Sequence, residues 1–161
     1  DELNSILTEV FVIYHSDVSF DTTFTDPEWG AATANAMLEQ GVDVVFGCGS
    51  ITGNNAIITA AQADAYVIGV DTDQYWTLPE AAPLMLSSAM KLITPGVFEL
   101  LKLARDSAFP SGNYLGNVAY APFHDQDNAV PAEVKAEMEK INAVLLDGSI
   151  KTNVAPVKPE G

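Results

Sequence analysis

The chain has 161 residues, 48% of them apolar, and a formal net charge of −15 from 22 acidic against 7 basic side chains. That length builds one ordinary domain with a core, and the acidic balance argues against nucleic acid or an anionic membrane surface, which need clustered Lys and Arg. No apolar run approaches the roughly 20 residues of a membrane span, and the single cysteine, Cys48, excludes an internal disulfide and a cysteine metal cluster. The chain opens at Asp1 without the basic region or cleavage site of a signal peptide. The expectation is a segment of a longer protein, for which that absence carries no information about location.

In chain order, Leu3–Leu7 reads as a short helical lead-in and Glu9–Tyr14 (EVFVIY) as a first strand. The polar stretch His15–Thr25 carries Phe20 and Phe24. Asp26-Pro27-Glu28 then combines an N-cap, a first-turn proline and an acid near the positive helix end. The helix runs to about Gln40 and Gly41 closes it. Val42–Phe46 is an apolar strand that breaks at Gly47-Cys48-Gly49-Ser50-Ile51-Thr52-Gly53, and after a short helix a second apolar run, Tyr66–Val70, ends in Asp71-Thr72-Asp73. Short β-rich runs joined by a helix-compatible stretch form a parallel βαβ unit. Its crossover is right-handed, so both loops leave at the C-terminal edge of the sheet, where open α/β sheets bind ligands.

A loop with Tyr75, Trp76, Pro79 and Pro83 leads to a short strand, Leu84–Ser88, followed by Ala89-Met90-Lys91. Thr94-Pro95 caps a helix to about Asp106 with Val97, Leu100, Leu101 and Ala104 on one face. Ser111-Gly112-Asn113 turns into a strand, Tyr114–Tyr120, and the loop Ala121–Val130 contains His124-Asp125-Gln126-Asp127. Pro131 opens a helix with Val134, Met138, Ile141, Val144 and Leu145 at helical spacing, closed by Gly148, and Ile150 begins an extended piece. The fold expected is α/β, a three-layer, mostly parallel sheet with helices on both faces. Residues 1–151 form a single lobe and 152–161 a loose tail.

Gly47-x-Gly49-x-x-x-Gly53 between strand and helix, with Asp71 at the next strand end, mimics a dinucleotide fingerprint. The alternative is a tight strand-to-helix turn. Asp71, and with less weight Asp73, stands where a carboxylate can accept hydrogen bonds from vicinal hydroxyls. Lys91 is the only basic residue before position 102; it is placed to pair with Asp71 and share a hydroxylated ligand, or else is a surface lysine. Phe20, Phe24 and Trp29 either stack on a flat ring or pack. Cys48, between two glycines, reads as a small core residue. His124-Asp125 resembles a base with its orienting acid, but no nucleophile motif accompanies it, and His15 and His124 lack metal-ligand spacing. There is no hydrolase elbow and no GxxxxGK loop. The expectation is therefore no catalytic residue, no metal and no cofactor. An NAD(P)-dependent oxidoreductase domain using Gly47–Asp71, and a ligand-free regulatory domain on the same scaffold, stay open as alternatives to a binding module.

Together, Phe24-Thr25-Asp26-Pro27, QGVDVVF, GSITGNN, YVIGVDTDQ and SSAMK resemble one family, as does the closing VPAEVKAEMEKINAVLLDGSIK. This is the basic membrane lipoprotein, or purine nucleoside receptor A-like, family of ABC-transporter substrate-binding proteins, and the resemblance extends from Val10 to Lys151. It implies a type I periplasmic-binding fold, in which two α/β lobes close on a nucleoside, this chain being the C-terminal portion. By position, Asp71 and Lys91 would hold the ribose hydroxyls, Phe24 would stack on the base with Phe20 as the alternative, and Gly49 would let the backbone approach. The implied partners are a nucleoside ligand and an ABC permease, and the implied location is extracytoplasmic, periplasmic or lipid-anchored. No direct membrane insertion of this segment and no enzymatic activity are expected.

Overall fold

A computed structural model describes residues 9–151. Four strands form one open sheet in the order β1 (Val44–Phe46), β2 (Tyr66–Asp71), β3 (Met85–Lys91), β4 (Val118–Tyr120). The first three run parallel, with Val45 opposite Val67 and Gly69 opposite Ser88, while β4 joins β3 antiparallel with Val118 opposite Lys91. The fold is α/β on a mixed sheet, the class that the run of short apolar strands and intervening helical segments predicts. β2 is the most continuously apolar strand, with Val67, Gly69 and Val70 buried.

Among the described residues six α-helices accompany the sheet: α1 (Phe20–Thr23), α2 (Pro27–Glu39), α3 (Ser50–Gln62), α4 (Gln74–Thr77), α5 (Ile93–Arg105) and α6 (Ala132–Leu146). α2 begins where its cap signal lies: Asp26 accepts the Trp29 N–H at 3.0 Å and Pro27 fills the first turn. Past its end, Gly41 takes the left-handed backbone (φ 88°) that stops the helix. α3 lies against β1 and β2. Its Ile57, Ala60 and Ala61 meet Val45, Val67 and Met85 in the main core. α2 covers α3 through a face of small residues, with Gly30 and Ala34 buried. By contrast α5 and α6 bury no residue, and Val97, Phe98 and Leu101 on α5 remain exposed.

Three expectations are corrected. Glu9–Tyr14 forms no strand: it pairs with no neighbour, and Val10 and Tyr14 are 77% and 80% exposed. Its composition favours an extended chain, but a strand also needs a partner for its N–H and C=O groups, and β1 is bonded to β2 alone. The strand expected over Tyr114–Tyr120 shrinks to Val118–Tyr120, because only these residues lie opposite β3. β3 in turn runs beyond Ser88, making Lys91 its last residue. Leu3–Leu7 and 152–161 lie outside the described residues.

Candidate functional site

The parallel strands β2 and β3 end side by side at Asp71 and Lys91, with Asp71 in register with Met90. Asp71 adopts a left-handed backbone (φ 68°), which aspartate tolerates better than most residues. Lys91 Nζ lies 2.6 Å from Asp71 Oδ1. Both side chains are largely in solvent, 66% and 56% exposed. The hydrogen bond to Asp71, and then its charge, holds the Lys91 ammonium above its ordinary pKa. The pair thus presents a cation with spare donors beside a carboxylate with a free oxygen.

The preceding loop reaches the same edge. Ser19 caps α1 by accepting the Thr22 N–H, and Phe24 closes it. His15 fastens the loop: its ring stacks on Trp29 with centroids 4.1 Å apart, Nε2 lies 3.0 Å from Asp26 Oδ2, and its carbonyl accepts from Thr23 Oγ1 at 3.0 Å. The Asp26 N–H donates to Thr52 Oγ1 at 2.9 Å, tying the start of α2 to the first turn of α3. The Trp29 N–H, and then His15, keep the Asp26 carboxyl below its usual range. Phe24 is thereby brought against the glycine loop, where a Cβ on Gly49 would stand 4.0 Å from its ring. Phe20 meets Phe24 edge-on at 5.1 Å. It is the outer of the two, 78% exposed against 36%.

The glycines have separate physical reasons. Gly49 has φ 120°, a backbone that side chains rarely adopt. A Cβ on Gly47 would stand 2.5 Å from the Gly53 carbonyl oxygen, and one on Gly53 2.6 Å from the Cys48 carbonyl carbon. Gly47 and Gly53 are therefore accounted for by the tight strand-to-helix turn, the alternative to a dinucleotide fingerprint. Cys48 is exposed, not a core residue. The strand alternation continues through the loop, with Val45 and Gly47 facing inward and Phe46 and Cys48 outward. Desolvation, and then the charge of Asp71, push its thiol pKa up while Lys91 opposes them, so the glycine loop and the ion pair share one electrostatic neighbourhood.

Other polar residues are arranged differently from the sequence expectation. The acid bonded to His124 is Asp73, at 2.8 Å, whereas Asp125 accepts from the Tyr75 hydroxyl at 2.8 Å. The His124 ring stacks on Tyr75 at 4.1 Å, so the pair clasps two loops together. Asp73 is drawn into that clasp and does not join Asp71. Among the described residues no three His, Cys, Asp or Glu side chains are grouped to hold a metal ion, and no helix is long and apolar enough to cross a membrane. An apolar cleft of about 310 Å³ abuts Lys91, lined mainly by Ile93, Val97, Leu100, Tyr114 and Val118. Sequence reasoning missed it because Tyr114 reads as part of a strand. Gln74 also had no assigned role; the signal was an amide directly after three polar loop residues, now buried beneath the sheet edge.

Residues 12–116 match the family model described as ABC transporter substrate-binding protein PnrA-like. The chain is 29% identical over 160 residues to the CD4+ T-cell-stimulating antigen of Listeria monocytogenes, covering 89% of this chain and 44% of that one. It is 34% identical over 82 residues to basic membrane protein D of Borreliella burgdorferi, covering 50% of this chain and 23% of that protein. An ABC transporter solute-binding protein from Aeropyrum pernix K1 superposes with a TM-score of 0.67 at 20% identity, over 84% of this chain and 46% of that one. A transcriptional activator of the comK gene from Bacillus halodurans does so equally, at 0.67 and 17% identity, over 83% and 46%. At such identities the two superpositions establish the fold. The chain spans less than half the length of the relatives it matches.

Proposed function

This chain belongs to the PnrA-like family of ABC transporter substrate-binding proteins, and we propose that it supplies one wall of a pocket for a purine nucleoside or a related small molecule. In that reading the parent protein is an extracytoplasmic or lipid-anchored receptor that hands its ligand to an ABC permease, with no chemistry of its own. The observation that carries it is the solvent-facing Lys91–Asp71 pair at the C-terminal ends of two parallel strands. A vicinal diol fits such a pair: one hydroxyl donates to the carboxylate while the other accepts from the ammonium, and each bond is charge-assisted. Phe24 beside Gly49 offers a ring face next to open backbone, suited to a flat base.

A single wall leaves most of a ligand in water, so the lobe alone binds weakly and a second wall is needed for useful affinity. The test is calorimetry with inosine, guanosine and adenosine on the parent-length protein, parent and variant. Saturable binding that falls at least tenfold in Asp71→Ala and in Lys91→Ala is the expected result. Absence of binding to all three nucleosides, or binding untouched by both substitutions, would sink the assignment.

A further inference from the structure

Gln74 is buried, yet its polar groups reach three different elements. Its side-chain oxygen accepts the Val70 N–H at 2.8 Å, its side-chain nitrogen donates to Asn54 Oδ1 at 2.8 Å, and its backbone N–H donates to Ser88 Oγ at 3.1 Å. Val70 directly precedes Asp71 on β2, Ser88 lies on β3 ahead of Lys91, and Asn54 lies on α3 just beyond the glycine loop. Room for this side chain is built into the neighbouring strand: a Cβ on Gly69 would stand 2.7 Å from the Gln74 oxygen and 2.5 Å from Ser88 Oγ.

We propose that Gln74 is the positioning residue of the site, a buried amide that sets Asp71, Lys91 and the glycine loop relative to one another. Glutamine suits the role because its amide donates and accepts at once while carrying no charge, so both side-chain bonds can be buried without an ion's desolvation cost. The bond to Val70 matters most directly. Asp71 has a left-handed backbone and its ion pair lies in solvent, so little else holds its carboxylate in place. Position 74 is thus coupled to the pair through one peptide on one side and through β3 on the other. The assignment of these groups to a ligand rests on the nucleoside-pocket reading; the coupling itself does not.

The test needs no ligand. In the full chain with labelled lysines, the Lys91 ammonium resonance is assigned through Lys91→Arg, and its displacement in Asp71→Asn defines complete loss of the pair. Gln74→Met, similar in size but without the amide, is expected to reproduce at least half of that displacement. Ser88→Ala, which removes the bond from the Gln74 backbone together with a weak one to Met85 Sδ, is a milder variant and is expected to move the signal part of the way in the same direction. Leu38→Ala, a change on the last turn of α2 that loosens the core away from this network, controls for general loosening and should leave the signal where it is. An unmoved signal in both Gln74→Met and Ser88→Ala, or an equal shift in Leu38→Ala, would overturn the proposal. Titration of the parent protein with inosine and guanosine runs in parallel: failure to bind speaks against the pocket, whereas the lysine signal speaks only to Gln74.

Discussion

A Cβ at Gly30 would stand 2.1 Å from the carbonyl oxygen of Thr52, so α2 and α3 touch backbone to backbone at the point where both helices begin. Neither atom belongs to a flexible side chain, and an added methyl must push the helices apart. Gly30→Ala is expected to destabilise the fold by about 1–3 kcal/mol, the usual cost of overpacking. Gly41→Ala adds a methyl to open space and meets only the left-handed backbone, at a cost of about 1–2 kcal/mol. Urea unfolding checks both. A lower midpoint at unchanged slope is expected for each, and Gly30→Ala should also weaken the Asp26–Thr52 tie, seen as faster amide exchange at the start of α2.

Because the Lys91–Asp71 pair stands mostly in solvent, it contributes little to folding. Asp71→Asn and Lys91→Met should each change stability by less than about 1 kcal/mol. On the proposed nucleoside reading, affinity should fall at least tenfold in both, and Phe24→Ala should cost more affinity than Phe20→Ala, since Phe24 is the ring against Gly49. Unfolding and calorimetry on the same variants separate the two effects.

Cys48 reports on the pair without a ligand. Its thiol is exposed, but its raised pKa leaves less thiolate at pH 8 than an ordinary cysteine has. A disulfide reagent should therefore label it in the native state, more slowly than a free thiol. Asp71 raises the pKa and Lys91 lowers it. Labelling should thus speed up in Asp71→Asn and slow down in Lys91→Met, and opposite changes would contradict the geometry.

Asp26 gives the acid limb of stability a definite sign. Its folded pKa is depressed below 3.8 by the Trp29 N–H and by His15. The stabilisation it provides is present above 3.8 and disappears as pH falls through the lower, folded value. Asp26→Asn keeps a capping oxygen but cannot carry the charge. The stability gap between it and the parent, measured by urea unfolding, should be open at pH 6 and narrow below 3.8.

The pairing at the centre of the candidate site was legible in the sequence. Asp71 and Lys91 could be placed together because a right-handed βαβ unit puts successive parallel strand ends on one edge, and a lone lysine among acids is conspicuous there. The cap of α2 was equally plain, since Asp26 and Pro27 act through bonds a few residues long. Reading failed where a partner had to be chosen from afar. His124 takes Asp73 in place of its neighbour Asp125, because stacking on Tyr75 orients the ring toward the other loop. Glu9–Tyr14 has the composition of a strand yet pairs with no neighbour.

The sequence by itself determined the α/β class, the main helix boundaries and the residues gathered at the sheet's C-terminal edge, all of which follow from local periodicity, capping and crossover handedness. Only the tertiary structure decided that β4 runs antiparallel, that Cys48 faces solvent, that Gly30, Gly47 and Gly53 serve backbone packing, and that Gln74 joins three elements. Those facts depend on atoms brought together from distant parts of the chain, and no spacing along it records which of them will meet.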